Sequence, residues 1–297
     1  MAIFAFLNGI FLRLVGFALS AVMFLAIPAA PSGTAIEAKD PAGVKLQASV
    51  IADNHMQSFD MQNFSQFTLA LRDIARAQQQ QDVLVMLGDN TMNGQTTEYI
   101  MLYGLLRQYN RTKNTFVAMG NHDLNIGQWG AATGINRHNF FLQSYNGVAN
   151  DKAYYSREFN GFTFVTIAGE GPGSELEISD AQLAWLAETM AASPAGKPIF
   201  VFIHQDVDYF PRGPELRAIL EAFPNVFVFN GHWHAPLGMD KTNGVSYINV
   251  PSLHAHNASQ PVGEGLQIEV YEDRVELRGR DYMNGKWIAT EFTVPLV

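Results

Sequence analysis

Five short apolar runs along the chain each stop abruptly at a polar residue: LQASVIAD at Asp53, VLVMLGD at Asp89, TFVAMGN at Asn121, PIFVFIH at His204 and VFVFNGH at His232. Runs this short, rich in β-branched and aromatic residues and bounded by turn formers, predict buried strands. Between the first three the period changes. Phe64 to Gln80 places Phe67, Leu71 and Ile74 at helical spacing, and Thr97 to Tyr109 does the same with Tyr99, Leu102, Tyr103 and Leu106. Strand, helix, strand, helix, strand predicts a parallel sheet with helices packed on it. A further helix is expected after Ser179, where Ser179 and Gln182 fit a capping box ahead of Leu183, Leu186 and Met190, and another from Pro214 to Ala222.

The rest of the chain reads as hairpins. Asn160-Gly161 and Asn243-Gly244 each separate two strand-like segments, the turn chemistry of a two-residue connection. GLQIEVY, RVELRGR and DYMNGKWIATEFTV continue a β-rich C-terminal part. Two packed sheets with helices outside is the simplest arrangement, and neither a linker nor a solenoid repeat divides it. Leu124 to Gly147 lacks a strong period. Its Trp129, Arg137 and His138 could form part of a substrate wall, or belong to a surface helix and loops with Trp129 as a packing anchor.

Composition narrows the chemistry. The chain has 297 residues, 47% hydrophobic and 16% charged, which gives a sizeable core and excludes long disorder. Its 28 acidic against 19 basic residues, with a formal charge of -9 and no Lys/Arg-rich run, argue against a nucleic-acid partner. There is no cysteine, so any metal must be held by His, Asp, Glu or Asn. Residues 1–35 carry Arg13, an apolar run from Leu14 to Ile27 and then small residues, which predicts a signal peptide cleaved near Gly33-Thr34-Ala35 or an uncleaved membrane anchor. Either way residues 36–297 form one domain exported from the cytoplasm, periplasmic or secreted, with membrane contact only through an uncleaved N-terminal segment.

In open α/β sheets, ligands bind beyond the carboxyl ends of the strands. There the five terminators bring Asp53 with His55, Asp89, Asn121 with His122 and Asp123, His204, and His232 with His234. Residues two apart on an extended segment point the same way, so each of the two-residue pairs is expected to act as a clamp, with Gly231 turning the chain ahead of the last. Carboxylates, imidazoles and one amide without a thiolate suit Mn, Fe, Zn or Co. Asp53, His55, Asp89, Asn121, His204, His232 and His234 are more donors than one tetrahedral ion needs. Two ions about 3.5–4 Å apart, bridged by one carboxylate, would use them all.

Taken in order, Asp53-Asn54-His55, Gly88-Asp89, Gly120-Asn121-His122-Asp123, His204 and Gly231-His232-Trp233-His234 resemble the motifs of calcineurin-like metallophosphoesterases. The resemblance implies a four-layer α/β/β/α sandwich of two mixed β-sheets flanked by helices. It implies a binuclear centre in which Asp53, His55, Asp89 and His234 bind one divalent transition metal, and Asp89, Asn121, His204 and His232 the other. Asp89 is then the bridging ligand. His122 matches a position that binds the phosphate or protonates the leaving group, oriented by Asp123, and Asn121 also faces the phosphate. The implied function is hydrolysis of a small-molecule phosphomonoester or phosphodiester by a metal-bridging hydroxide, the alternative being a non-catalytic binding module on the same fold.

The chain departs from that pattern at particular positions. Met92 stands where purple acid phosphatases carry a Tyr ligand, which argues against a tyrosinate-bound ferric ion. The fourth motif, often H-x-P, reads His204-Gln205-Asp206, with Asp206 expected as a solvated loop acid, the alternative being a pocket-lining residue. His254 and His256 are expected at the pocket rim or surface, and Trp233 as a packing residue.

Overall fold

Phe200 and Phe202 of PIFVFIH, and Phe227 and Phe229 of VFVFNGH, alternate with Ile199, Val201, Ile203, Val226 and Val228, and all are buried. Successive strand residues face opposite sides, so both faces of this sheet need cover. The phenylalanines face a second sheet: Phe202 stacks on Phe229 at 4.9 Å and meets Phe116 of the opposite sheet at 5.7 Å. The aliphatic residues face helices, in a cluster with Leu183, Leu186, Met190, Leu216 and Leu220.

The computed structural model describes residues 28–125, 128, 130–170, 176–254, 260 and 262–297. One sheet holds β1 (Leu46–Ile51), β2 (Val83–Leu87) and β3 (Asn114–Ala118), mutually parallel, continued by antiparallel β10 (Glu264–Val270), β11 (Arg274–Asp281) and β12 (Lys286–Pro295) in the order β12-β11-β10-β1-β2-β3. The other holds β4 (Tyr155–Phe159), β5 (Phe162–Ile167), β6 (Ile199–Ile203), β7 (Val226–Asn230), β8 (Gly238–Thr242) and β9 (Val245–Asn249) in the order β4-β5-β6-β7-β9-β8, with β5, β6, β7 and β9 parallel. Helices α1 (Met61–Ile74) and α2 (Thr96–Tyr109) pack into the core of the first sheet, and α5 (Asp180–Ala191) and α6 (Gly213–Leu220) cover the second. This is the expected sandwich of two mixed sheets flanked by helices. Both hairpin turns have two left-handed residues, Asn160 with Gly161 and Asn243 with Gly244, as a two-residue turn that follows strand twist requires.

Local chemistry moved several boundaries. Asp60 caps α1 by accepting from the amides of Gln62 and Asn63, so the helix starts before Phe64, and it ends at Ile74, ahead of the glutamines that extend no apolar face. Ser179 caps α5 by accepting from the Gln182 amide at 3.1 Å, but the Gln182 side chain is drawn to Ala168 at the end of β5 and leaves the box half made. The aperiodic segment contains α3 (Asn121–Leu124) and α4 (Ala131–Asn146). Buried His138 and Asn139 occupy the inner face of α4, and polar residues at core positions hid its period.

The expected domain boundary at residue 36 falls inside a packed segment. Arg72 donates to the Pro28 carbonyl at 2.8 Å, Arg76 to Gly33 at 2.6 Å and Arg280 to Thr34 at 2.6 Å, while Ile36 and Ala38 are buried. Residues 1–27, on which the expectation of a signal peptide or anchor rests, lie outside the described residues. Among the described residues no helix is long and apolar enough to cross a membrane.

Arg280 on β11 is fully buried and forks onto Asp73 of α1, at 2.8 and 3.0 Å. Removing one partner of a buried pair strands the other charge in a low dielectric. Arg280→Ala should therefore lower unfolding free energy by about 3–5 kcal/mol in urea denaturation; a loss within error would show that water reaches Asp73. His138 is a second buried ioniser, held down to about 3 by burial, against 6.5 in the unfolded chain. Its folded value is depressed, so the stability it contributes is present above pH 6.5 and drains as pH falls towards 3. Between these limits wild-type stability should fall by about 1.4 kcal/mol per pH unit more steeply than that of His138→Gln; parallel slopes would contradict this.

Candidate metal centre

All five terminators stand at the carboxyl ends of parallel strands, three on the first sheet and two on the second, and the sandwich brings the two sets face to face. The contacts across the gap are direct. His204, following β6, places Nδ1 2.8 Å from the Leu87 carbonyl on β2, and the His232 amide, following β7, donates to Asp53 at 3.1 and 3.2 Å. A Cβ on Gly88 would lie 2.7 Å from the His204 ring, and one on Gly231 would lie 2.6 Å from Asp53 Oδ2. Gly231 is therefore required for close approach of the two sheets rather than for turning the chain.

The two-residue pairs are not extended clamps. Asp53, His55, Asp89, His232 and His234 all take left-handed backbone, with φ of 52°, 46°, 46°, 69° and 50°. Each such residue costs roughly 1–3 kcal/mol and persists only where its surroundings over-determine it. Here the backbone is curled so that side chains from separate loops converge. The His55 amide is held by the Asp89 carbonyl at 2.8 Å and the Asp53 amide by the Gly88 carbonyl at 3.2 Å, which locks the first two motifs to each other.

Two buried carboxylates form the centre. Asp89 Oδ2 has His204 Nε2 at 3.0 Å, His55 Nε2 at 3.9 Å and His122 Nε2 at 4.0 Å; Asp53 Oδ1 has His234 Nε2 at 3.2 Å, His204 Nε2 at 3.6 Å and His55 Nε2 at 3.9 Å. His55 and His234 bring their Nε2 atoms within 3.2 Å of each other. Two donors each about 2.1 Å from one ion stand roughly 3.0–3.4 Å apart, so this spacing fits a shared coordination shell. Asp53, His55 and His234 form one group able to hold a cation, Asp89, His204 and His232 a second, and His55, Asp89 and His122 a third that overlaps both. Asn121 enters at the start of α3, and its amide oxygen accepts from Gln205 Nε2 at 3.2 Å.

The electrostatics also call for positive charge. Burial, which opposes an imidazolium, is outweighed at His204 by Asp89 and Asp53, which push it up to about 10. Burial likewise opposes both carboxylates, yet His204 keeps Asp89 and, with His234, Asp53 below the usual range. His55, without so close a carboxylate, is pushed down by burial to about 3. One proton on His204 is thus a small internal counter-charge for two buried acids, and divalent cations would replace it.

Asp123 does something other than orient His122. Its buried carboxylate accepts from the amides of Asn90, Thr91 and Gly120 at 3.1, 2.9 and 3.0 Å, from Asn90 Nδ2 at 3.0 Å and from Thr91 Oγ1 at 2.8 Å. Burial and then Asp89 push it up to about 6 against these donors. It fastens the second and third motif loops together, and the backbone carbonyl of Met92 takes over the expected role, accepting from His122 Nδ1 at 2.7 Å.

The surroundings bring further corrections. His138 is buried against Tyr99 and forms no substrate wall, while half-buried Arg137 donates to the Gly94 carbonyl at 2.5 Å; Trp129 and His256 lie outside the described residues. His254 meets the expectation of a rim position, its ring 5.6 Å from that of His55. Asp206 is the partly exposed loop acid expected, and it also caps a short 3-10 turn by accepting from the Asp208 amide. Trp233 is exposed rather than packed in the core. Sequence reasoning did not single out Asn90 and Thr91 or give Gln205 and the Met92 carbonyl a role, because such helpers act through backbone and amide groups that leave no residue-type signature.

A search of curated proteins finds no significant match. Among solved structures, a dimetal phosphatase from Danio rerio aligns with a TM-score of 0.59 at 15% identity, over 86% of this chain and 100% of that one. A purple acid phosphatase from yellow lupin (Lupinus luteus) seeds aligns with a TM-score of 0.63 at 13% identity, over 84% of this chain and 53% of the other. At these identities the likeness establishes the fold. The family model for calcineurin-like phosphoesterases matches residues 49–236, more than half the chain and a span that contains all five strand-end motifs. The chain belongs to the calcineurin-like phosphoesterase family.

Proposed function

We propose that the protein is a metal-dependent phosphoric ester hydrolase, acting outside the cytoplasm on a small phosphomonoester or phosphodiester. The observation that carries this reading is the convergence of His55, His204, His232 and His234 on two buried carboxylates, Asp53 and Asp89, with His122 beside them and its ring held by the Met92 carbonyl. Asp53, His55, Asp89 and His234 would hold one divalent ion, and Asp89, Asn121, His204 and His232 the other, drawn from Mn, Fe, Zn and Co. When bound, such a pair acidifies water and offsets the negative charge of the phosphate under attack.

The chain's own residues supply orientation and a proton. The Met92 carbonyl accepts from His122 Nδ1 whether the ring is neutral or charged, so Nε2 is the end turned to the site, 4.0 Å from Asp89 Oδ2. The protonated ring donates from Nε2 to the departing ester oxygen. The His122 amide donates to Asp89 Oδ1 at 2.9 Å, which ties the acid to a ligand loop. Gln205 fixes the Asn121 amide next to the phosphate, and Asp123 is a positioning residue that keeps the loop of His122 against that of Asp89.

Hydrolysis of mono-, di- and pyrophosphate esters under each of the four metals tests the reading, and metal binding without turnover on any of them would favour a binding module. His122→Ala should lower kcat on alkyl esters by about a hundredfold or more, and far less on nitrophenyl esters, with metal content unchanged. An equal loss on both would remove the proton-donor role. Metal at a hundred times its Kd should stabilise the folded chain by about 2.7 kcal/mol per independent site in thermal melts. In Asp89→Asn that gain should be largely lost, and its survival would show that Asp89 is not shared.

A further inference from the structure

Tyr209 and Trp233 are outside the donor set and stand at its edge. They are 42% and 47% exposed, in a domain that buries most of its rings. The Tyr209 ring lies edge-to-face with His232 at 5.2 Å and with Trp233 at 5.0 Å between centroids, and His232 meets Trp233 at 5.7 Å. The three rings form one cluster that runs from a candidate ligand out to solvent.

The fold builds this cluster. Asp206 starts the 3-10 turn Val207–Tyr209 by accepting from the Asp208 amide at 2.9 Å. Val207 and Phe210 are buried in the core of the second sheet, which leaves the intervening Tyr209 directed outward. Asp208 accepts from Arg217 of α6 at 2.8 and 2.7 Å, pinning the turn to a helix. Trp233 sits between the left-handed His232 and His234, and its amide donates to the Gly231 carbonyl at 2.7 Å, so the curl that directs both histidines inward sends the indole out.

We propose that Tyr209 and Trp233 form a subsite for a planar aromatic substituent of the phosphate ester, selecting aryl or nucleoside esters over small alkyl ones. The inference rests on the phosphoesterase reading above. A phosphate held among Asp53, Asp89 and their imidazoles has Tyr209 and Trp233 beside it, because both pack against His232, one of those imidazoles. An edge-to-face contact covers at most one face of a ring, and the partial exposure of both rings leaves surface on which a base or aryl ring gains stacking. The surface is two rings wide, which suits one planar group, whereas an acyl chain or a protein partner needs a broader apolar patch. Arg217 is paired with Asp208, and Arg212 with Asp180 and Glu215, so the rings rather than these cations set the preference.

Calorimetry on the metal-loaded protein with methylphosphonate, phenylphosphonate and the methylenephosphonate analogue of a nucleoside 5′-monophosphate reads ring recognition without turnover. The two ring-bearing ligands should bind about fivefold to a hundredfold more tightly than methylphosphonate, the range that base–aromatic stacking supplies. Tyr209→Leu and Trp233→Leu, which keep apolar bulk without a ring, should each lose most of that advantage, and Tyr209→Phe should keep it. The tighter of the two ring ligands identifies the ester class. Equal affinity of wild-type protein for all three phosphonates, or an advantage that survives both leucine substitutions together, would overturn the subsite. Failure of all three to bind would overturn the phosphoesterase reading itself and the subsite with it.

Discussion

Two carboxylates, Asp53 and Asp89, are buried at the meeting line of two sheets, and much of the molecule is arranged around that constraint. An ionised acid taken out of water is costly unless cations and donors surround it. Each sheet brings half of what is needed. The first supplies the acids, and the second supplies His204 and the His232 amide that face them. Neither sheet holds a complete site alone, so the sandwich interface and the centre stand or fall together.

That dependence accounts for features that look unrelated in isolation. The phenylalanine layer sets the distance between the sheets, and the glycines at 88 and 231 let the strand ends approach beyond what a side chain would allow. Five left-handed residues concentrate at the same place because short loops must aim several side chains at one point. Asp123 and the Met92 carbonyl hold the second and third loops as one unit, which keeps His122 in place with a carbonyl, not a carboxylate, at Nδ1.

Much of this was legible in the sequence, and the misses have physical causes. Abrupt polar ends on apolar runs marked the strands, their direction and the residues brought together, because a buried strand needs both apolar faces and a site needs polar groups only at its end. The inward phenylalanines of IFVFI and VFVFN also encode the two-sheet layer, since aromatic and β-branched residues alternate there. Helix α4 was hidden because His138 and Asn139 occupy its inner face. Loop geometry is not legible in the same way: two-residue spacing suggests extended clamps, whereas the chain curls through left-handed conformations that residue type alone does not specify. The roles of Met92, Gln205 and Asp206 depend on backbone or amide contacts, so composition carried no trace of them.

On the function proposed above, Asp53 and Asp89 would seat two divalent ions that share Asp89. Anomalous diffraction from crystals grown with manganese tests it most directly. The account predicts two peaks about 3.5–4 Å apart, one near Asp53, His55 and His234, the other near His204 and His232, with Asp89 between them. A single peak, or none beside Asp89 at saturating metal, would contradict it.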